Sequence, residues 1–385
     1  MFGLLLLTYT LMAADRYLVS MLGTDIRTAL GLSLPQMGAL TTMFTLGIGI
    51  AGLPAGALIA RYSRKAVLLA GVVLFSTATL LFTQASGFAS MFVFIVMQGI
   101  GMSFLATSMF ALSASYFASS RVAAVGLVNV CFGLGSFLGP WSIGNLRDSS
   151  GRWETPMLVF GLVGIVLAVA IAVVVRQWFS EAQHAAHHNK DTGGSDSLIN
   201  HNTMILTVLS ALYGITVYGF LGLYPTFMVD IVHFTHAQVG GVMKFFGLGS
   251  LTAFFGGMLG DRFPAKVVLT SSSLVLVVLG FFLYLPGLSM GMYKLMALIF
   301  GVFGAAIVYT NLAGSHIKAL RRSLASKGSS MFVSSVYGGA ALGGFTMGEL
   351  VSHRGWEFAG HIQISLLSLI AVILTFWLRP DEMSR

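Results

Sequence analysis

Apolar runs punctuate the whole 385-residue chain, falling near 3–23, 36–60, 66–85, 90–112, 122–144, 156–178, 204–228, 237–260, 266–285, 293–316, 328–350 and 357–378. Each is close to the roughly 20 residues a helix needs to cross a bilayer, and charged or turn-forming residues separate them. The pattern predicts twelve spanning helices, six on either side of the longest polar stretch. That stretch runs from Trp178 to Asn202 and holds Glu181, four histidines, Lys190, Asp191, Gly193, Gly194 and Asp196. It reads as a solvated linker. The predicted division is a first six-helix bundle over 1–178, a linker over 179–203 and a second bundle over 204–385. Met12-Ala13-Ala14 faintly resembles a signal-peptide cleavage site, but no basic segment precedes it and apolar sequence continues beyond, so the first helix is expected to stay.

Composition narrows the class further. The chain is 56% hydrophobic and 9% charged, with 46 glycines, and its mean hydropathy is +0.87. Soluble domains carry about 25% charged residues. An ordinary soluble enzyme, a disordered chain and a nucleic-acid binder are thereby excluded, and an all-α integral membrane protein remains. Small residues also let helix backbones approach closely in lipid. The lone cysteine, Cys131, can form no internal disulfide.

The net charge of +8 is explained by topology, since Lys and Arg concentrate in cytoplasmic loops. Placing both termini in the cytoplasm puts Arg61, Arg64, Lys65, Arg121, Arg176, Lys190, Arg262, Lys266, Lys318, Arg321, Arg322, Lys327, Arg379 and Arg385 on that side. Only Arg27, Arg147, Arg152 and Arg354 fall on the other. The expected location is a cell membrane, the bacterial inner membrane in particular. No G-x-x-x-x-G-K-S/T loop is present, so a proton or ion gradient, with no cofactor, is the expected driving force.

The two halves repeat. An offset of about 201 residues lays Gly56-Ala57-Leu58-Ile59-Ala60-Arg61-Tyr62-Ser63-Arg64-Lys65 over Gly257-Met258-Leu259-Gly260-Asp261-Arg262-Phe263-Pro264-Ala265-Lys266, and Arg121 over Arg322. Parallel six-helix repeats predict a transporter with its site between the halves near mid-membrane. The sequence here resembles the major facilitator superfamily over essentially its whole length. That family's loop between helices 2 and 3 reads roughly G-x-L-x-D-R-x-G-R-R/K. The first copy keeps Gly56, Leu58, Arg61, Arg64 and Lys65, with Ala60 in place of Asp and Ser63 in place of Gly, while the second keeps Asp261 and Arg262. The resemblance implies a conformational latch at these residues; anchoring of helix ends by positive charge is the alternative. Gly135-Ser136-Phe137-Leu138-Gly139-Pro140 is similar to the glycine-proline motif of the family's antiporters, and Gln98-Gly99-Ile100-Gly101 to its R-x-x-Q-G-x-G motif, with Ile95 at the arginine position.

Charges inside spans mark the candidate site, because an ionisable group at mid-bilayer costs about 2.5–3.5 kcal/mol even on insertion scales. Asp15 and Arg16 lie in the first run. Tyr9, Arg16 and Ser20 share one helical face, with Thr8 and Asp15 on the next. Asp15-Arg16-Tyr17 is similar to the first helix of Spinster-like transporters and of the organic anion:cation symporters. That resemblance implies proton coupling at Asp15 and a substrate or conformational role for Arg16. Met102 stands where those relatives carry a fourth-helix acid. Lys244, in the eighth run, resembles the anion-binding position of carboxylate transporters in the superfamily, and with Arg16 it makes a positive pair suited to a carboxylate or phosphate. Tyr213 and Tyr224 are candidate cavity residues on one face of the seventh run, with Pro225 expected to break that helix near its outer end. Glu349 and His316 fall near span ends, where contact with interfacial water is expected. Glu181, His184, His187 and His188 have helix-compatible ligand spacing, but no second ligand cluster accompanies them, and no metal site is expected.

The expected protein is a monomeric secondary transporter, not an enzyme, that carries a small organic anion with protons by alternating access. A drug or metabolite efflux antiporter and a Spinster-type lysolipid carrier are the alternatives, and a transport-inactive receptor or scaffold is the alternative from another class.

Overall fold

The structure, a computed structural model, describes residues 1–116, 121–180, 194–321 and 324–383. Glu181, His184, His187, His188, Lys190 and Arg322 lie outside the described residues, as do the side chains of Ala60 and Arg121. Among the described residues the regular secondary structure is helical, and the one exception is an isolated bridge, Ser195 to Leu320.

Among the described residues, twelve helical segments coincide with the twelve apolar runs: α1 (Phe2–Met21), α2 (Leu34–Arg61), α3 (Arg64–Leu81), α4 (Phe88–Tyr116), α5 (Arg121–Ser150), α6 (Glu154–Val174), α7 (His201–Asp230), α8 (His236–Arg262), α9 (Ala265–Gly280), α10 (Met290–Lys318), α11 (Ala325–Arg354) and α12 (Trp356–Thr375). Among the described residues ten are long and apolar enough to cross a membrane, α9 is a shorter apolar helix, and α11 has 30 residues but a more polar sequence. Val166, Val169 and Val173 of α6 are exposed along one stripe, which makes that stripe a lipid-facing surface.

Local sequence sets the ends and breaks. Ser63, at the position where the family motif has glycine, caps α3 by accepting from the Ala66 N–H at 3.1 Å. Asn200 and Thr203 form a reciprocal capping box at the start of α7. The helix of α1 stops at Asp15 and resumes at Leu18. At the break the Tyr17 N–H reaches only three residues back, to Ala14 O at 3.2 Å. Both α10 and α12 carry a π-helical stretch, Gly301–Val308 and His361–Leu366. Contrary to the break expected at Pro225, α7 runs on through it to Asp230. Pro225 lies five residues before the end of this long, buried helix, where only the Leu221 carbonyl loses its intrahelical donor.

The chain divides into two compact units. The first comprises Met1–Ser33, Met43–His187 and His233–Gly247; the second comprises Leu34–Thr42, His188–Val232 and Leu248–Arg385. Glycines permit the close helix crossings in each. In the first unit Gly139 of α5 lies on Ala14 of α1, where an added Cβ would sit 2.8 Å from the Ala14 Cα. In the second, Gly343 of α11 faces the Gly219 N–H of α7, 2.9 Å from where its Cβ would be.

Candidate transport site

The break in α1 sets the charged pair at the end of a helical segment. Asp15 is 1% exposed. Its Oδ2 accepts from Gln98 Nε2 of α4 at 2.8 Å and lies 3.0 Å from Thr79 Oγ1 of α3, which is also 3.2 Å from Oδ1. Gln98 Nε2 lies 3.2 Å from the same Thr79 hydroxyl. One buried carboxyl therefore ties three helices of the first unit together, with no basic partner at ion-pair distance among the described residues. The glutamine of the Gln98-Gly99-Ile100-Gly101 segment finds its role here.

Arg16 points elsewhere. Its guanidinium carbon sits 4.9 Å from the Phe44 ring centre and 5.0 Å from that of Phe132, a double cation–π contact. Phe132, Ser136, Pro140 and Gly144 recur every four residues and share one face of α5. The same face receives α8. Gly240 abuts the Pro140 carbonyl and Gly247 the Ser136 carbonyl, with no space for a side chain at either. Because residue 140 is proline, the Ser136 carbonyl lacks its intrahelical N–H partner and is left facing α8. Lys244 lies between those two glycines on the same stripe of α8 (i+4 from 240, i−3 from 247). Its level along α5 is near residue 138, about 9 Å of helix from Phe132 at 1.5 Å per residue. Both cations are half-buried and belong to the first unit. No carboxylate lies within ion-pair distance of Lys244 among the described residues, and its ammonium sits 5.9 Å from the ring of its neighbour Phe245.

The aromatic candidates separate. Tyr9 packs edge-on against Phe110 of α4 at 6.0 Å in the first unit. Tyr213 borders a small cavity of the second unit with Thr216, Ser273, Leu276 and Thr375. Tyr224 is fully buried among Phe220, Phe227 and Tyr284, at ring distances of 4.6, 6.0 and 5.4 Å. His316, expected near interfacial water, is instead 0% exposed, with Nε2 3.1 Å from Ser210 Oγ. It stands on the face of α10 that packs inward, and depth across a helix overrides nearness to its end. Glu349 is half-buried and lies 3.5 Å from His353.

The loop residues hold their own units. Arg64 donates to the Ser180 carbonyl at 3.4 Å and Lys65 to the Ala172 carbonyl at 2.8 Å. Arg61 sits 5.7 Å from the ring of Tyr62. In the second unit Asp261 meets Lys318 at 3.3 Å, and Arg262 is exposed.

A charged cluster absent from the sequence reading stands beyond α1. Arg147 of α5 grips Asp25, in the short helix Gly23–Leu30, through two bonds of 2.7 and 2.9 Å. His236 at the start of α8 lies 3.1 Å from Asp25 and 3.5 Å from Asp148. Asp148 also accepts from the Ala237 N–H at 2.8 Å. Burial alone would raise the Asp25 carboxyl; Arg147 and His236 beside it outweigh that and hold it well below the usual carboxylate range.

Ten helices long and apolar enough to cross a membrane among the described residues, with a polar-lined break in the first, describe a membrane protein, and sequence comparison decides which kind. The sequence profile of the Major Facilitator Superfamily matches residues 5–344. The chain belongs to that superfamily. It is a multi-pass membrane transporter and not an enzyme. Over 268 residues it is 26% identical to the multidrug resistance protein MdtL of Klebsiella pneumoniae (strain 342), covering 68% of this chain and 67% of that one. It is 22% identical over 224 residues to the hexuronate transporter of Bacillus subtilis (strain 168), covering 56% and 53%. The matches thus span about half to two thirds of these relatives. Its fold is similar to that of a bacterial homologue of the human lysosomal transporter Spinster in an inward-facing, occupied conformation (TM-score 0.74, 17% identity, 98% of this chain and 95% of that one). It is equally similar to the nucleoside transporter NupG (TM-score 0.75, 15% identity, 97% of both chains).

Proposed function

We propose that this transporter carries a small organic anion together with protons, by alternating access, with both termini in the cytoplasm. The observation that carries the reading is the placement of Arg16 and Lys244 along one stripe of α5, two half-buried cations at span depth with no carboxylate at ion-pair distance from Lys244 among the described residues. A cation retained there wants an anionic partner, and a carboxylate or phosphate supplies one. Asp15, one residue from Arg16, is the proton site of this reading: buried, hydrogen-bonded and placed at the same break in α1. Two relatives, the hexuronate transporter of Bacillus subtilis and the probable L-galactonate transporter of Escherichia coli (strain K12), bear the names of sugar acids.

A drug-efflux reading is favoured by the likeness to MdtL and by the close crossing at Gly139-Pro140. Proteoliposome transport of galacturonate and galactonate against lipophilic cations, with and without a pH gradient, separates the two. Sugar-acid uptake driven by inward proton flow supports the first; cation extrusion with no sugar-acid flux replaces it with the second.

A further inference from the structure

Thr79 is placed to serve Asp15 in either protonation state without moving a heavy atom. Its hydroxyl has one proton to give and two lone pairs. Around it stand the two Asp15 carboxyl oxygens at 3.0 and 3.2 Å, the Phe75 carbonyl at 3.0 Å and the Gln98 amide nitrogen at 3.2 Å.

With Asp15 ionised, the Thr79 proton points to Oδ2, which also accepts from Gln98, and Thr79 accepts the second Gln98 N–H. With a proton on Asp15 Oδ1, that O–H donates to Thr79, the Thr79 hydroxyl turns its own proton to the Phe75 carbonyl, and Gln98 keeps its bond to Oδ2. Each hydrogen is donated in both arrangements. Only the hydroxyl rotor and one added proton differ, and no bond between heavy atoms forms or breaks. In the absence of Thr79 the acid form of Asp15 would hold an unsatisfied O–H in a fully buried site.

We infer that Thr79 is a positioning residue for proton coupling: its hydroxyl hands the Asp15 network from the ionised to the acid arrangement. The inference rests on Asp15 being the proton site, and the test separates the two. The purified full chain in liposomes is stepped between alkaline and acidic pH, and the infrared C=O band of protonated carboxyls is recorded. The Asp15 band is the one that Asp15→Asn removes.

In Thr79→Val, whose side chain keeps the shape and loses the hydroxyl, this band moves to higher wavenumber because the acid has lost its acceptor. Thr79→Ser returns it to the parental position. Should Thr79→Val fail to fold, Thr79→Ala carries the same expectation. A band that stays at the parental wavenumber in these variants overturns the role of Thr79 while leaving Asp15 as the proton site. No band lost in Asp15→Asn overturns both.

Discussion

Lys65 and Lys266 stand 201 residues apart and make the same contact, each placing its Nζ 2.8 Å from a backbone carbonyl at the end of the last span of its half, Ala172 for one and Phe376 for the other. The terminal carbonyls of a helix have no intrahelical donor and carry partial negative charge, so a lysine there acts as a side-chain cap. The basic loop repeat thus has a physical function inside each unit: it fastens the first turn of one span to the last turn of another.

Lys65→Met should therefore lower stability in detergent by roughly 0.3–1 kcal/mol, read as a small drop in the thermal midpoint, and Lys65→Arg should recover most of it. A midpoint unmoved by Lys65→Met, with transport abolished, would assign the residue to gating instead.

Asp25 and Arg147 should respond to acid. The Asp25 carboxyl is held below its ordinary value in the folded chain, so its stabilising contribution is complete above the unfolded value of about 3.9 and fades as pH falls below it towards the depressed one. Asp25→Asn removes the pair at neutral pH, costing about 1–3 kcal/mol, and should flatten the loss of stability on acidification. Parallel melting curves for the parent and Asp25→Asn between pH 7 and pH 3 check this; an undiminished acid dependence in Asp25→Asn contradicts it.

Continuous apolar runs made the spans legible because a helix in lipid must be apolar over its whole length, and the predicted run 293–316 falls within Met290–Lys318 of the structure. Asp15 and Arg16 stood out as candidates for the same reason, since charge is conspicuous in such a run. Their partners were not. Thr79 and Gln98 lie 64 and 83 residues from Asp15, Arg147 lies 122 from Asp25, and polar residues of their kinds are common in membrane helices. Arg147 read from sequence as an outer-loop charge; only the packing of α5 beside Gly23–Leu30 gives it a carboxylate. The break after Asp15 has no proline or glycine to announce it.

Gly139 offers a packing test. Its Cβ would fall 2.8 Å from the Ala14 Cα and 2.9 Å from the Ala14 carbonyl oxygen, backbone atoms that cannot yield without moving α1. Gly139→Val should cost about 1–3 kcal/mol by overpacking and impair transport, because Asp15 is the next residue. Gly49→Ala, in open space, should leave stability unchanged or raise it by up to about 1 kcal/mol. Equal midpoints for the two variants would remove the crossing from the account.

Lys244→Gln should weaken binding of an anionic substrate by about tenfold or more, the effect of one lost charge-assisted hydrogen bond of about 1.5 kcal/mol, with little change in the melting midpoint. Titration of galacturonate against the parent and Lys244→Gln checks it. Parental affinity in that variant would make Lys244 structural.

The central claim, proton coupling at Asp15, is tested most directly by comparing counterflow exchange with pH-gradient-driven accumulation of the same sugar acid in proteoliposomes. Asp15→Asn imitates the protonated carboxyl, so it should exchange substrate at near-parental rates and accumulate none when a gradient is imposed. Gradient-driven accumulation at the parental level in Asp15→Asn would contradict the account and move the coupling site elsewhere in the chain.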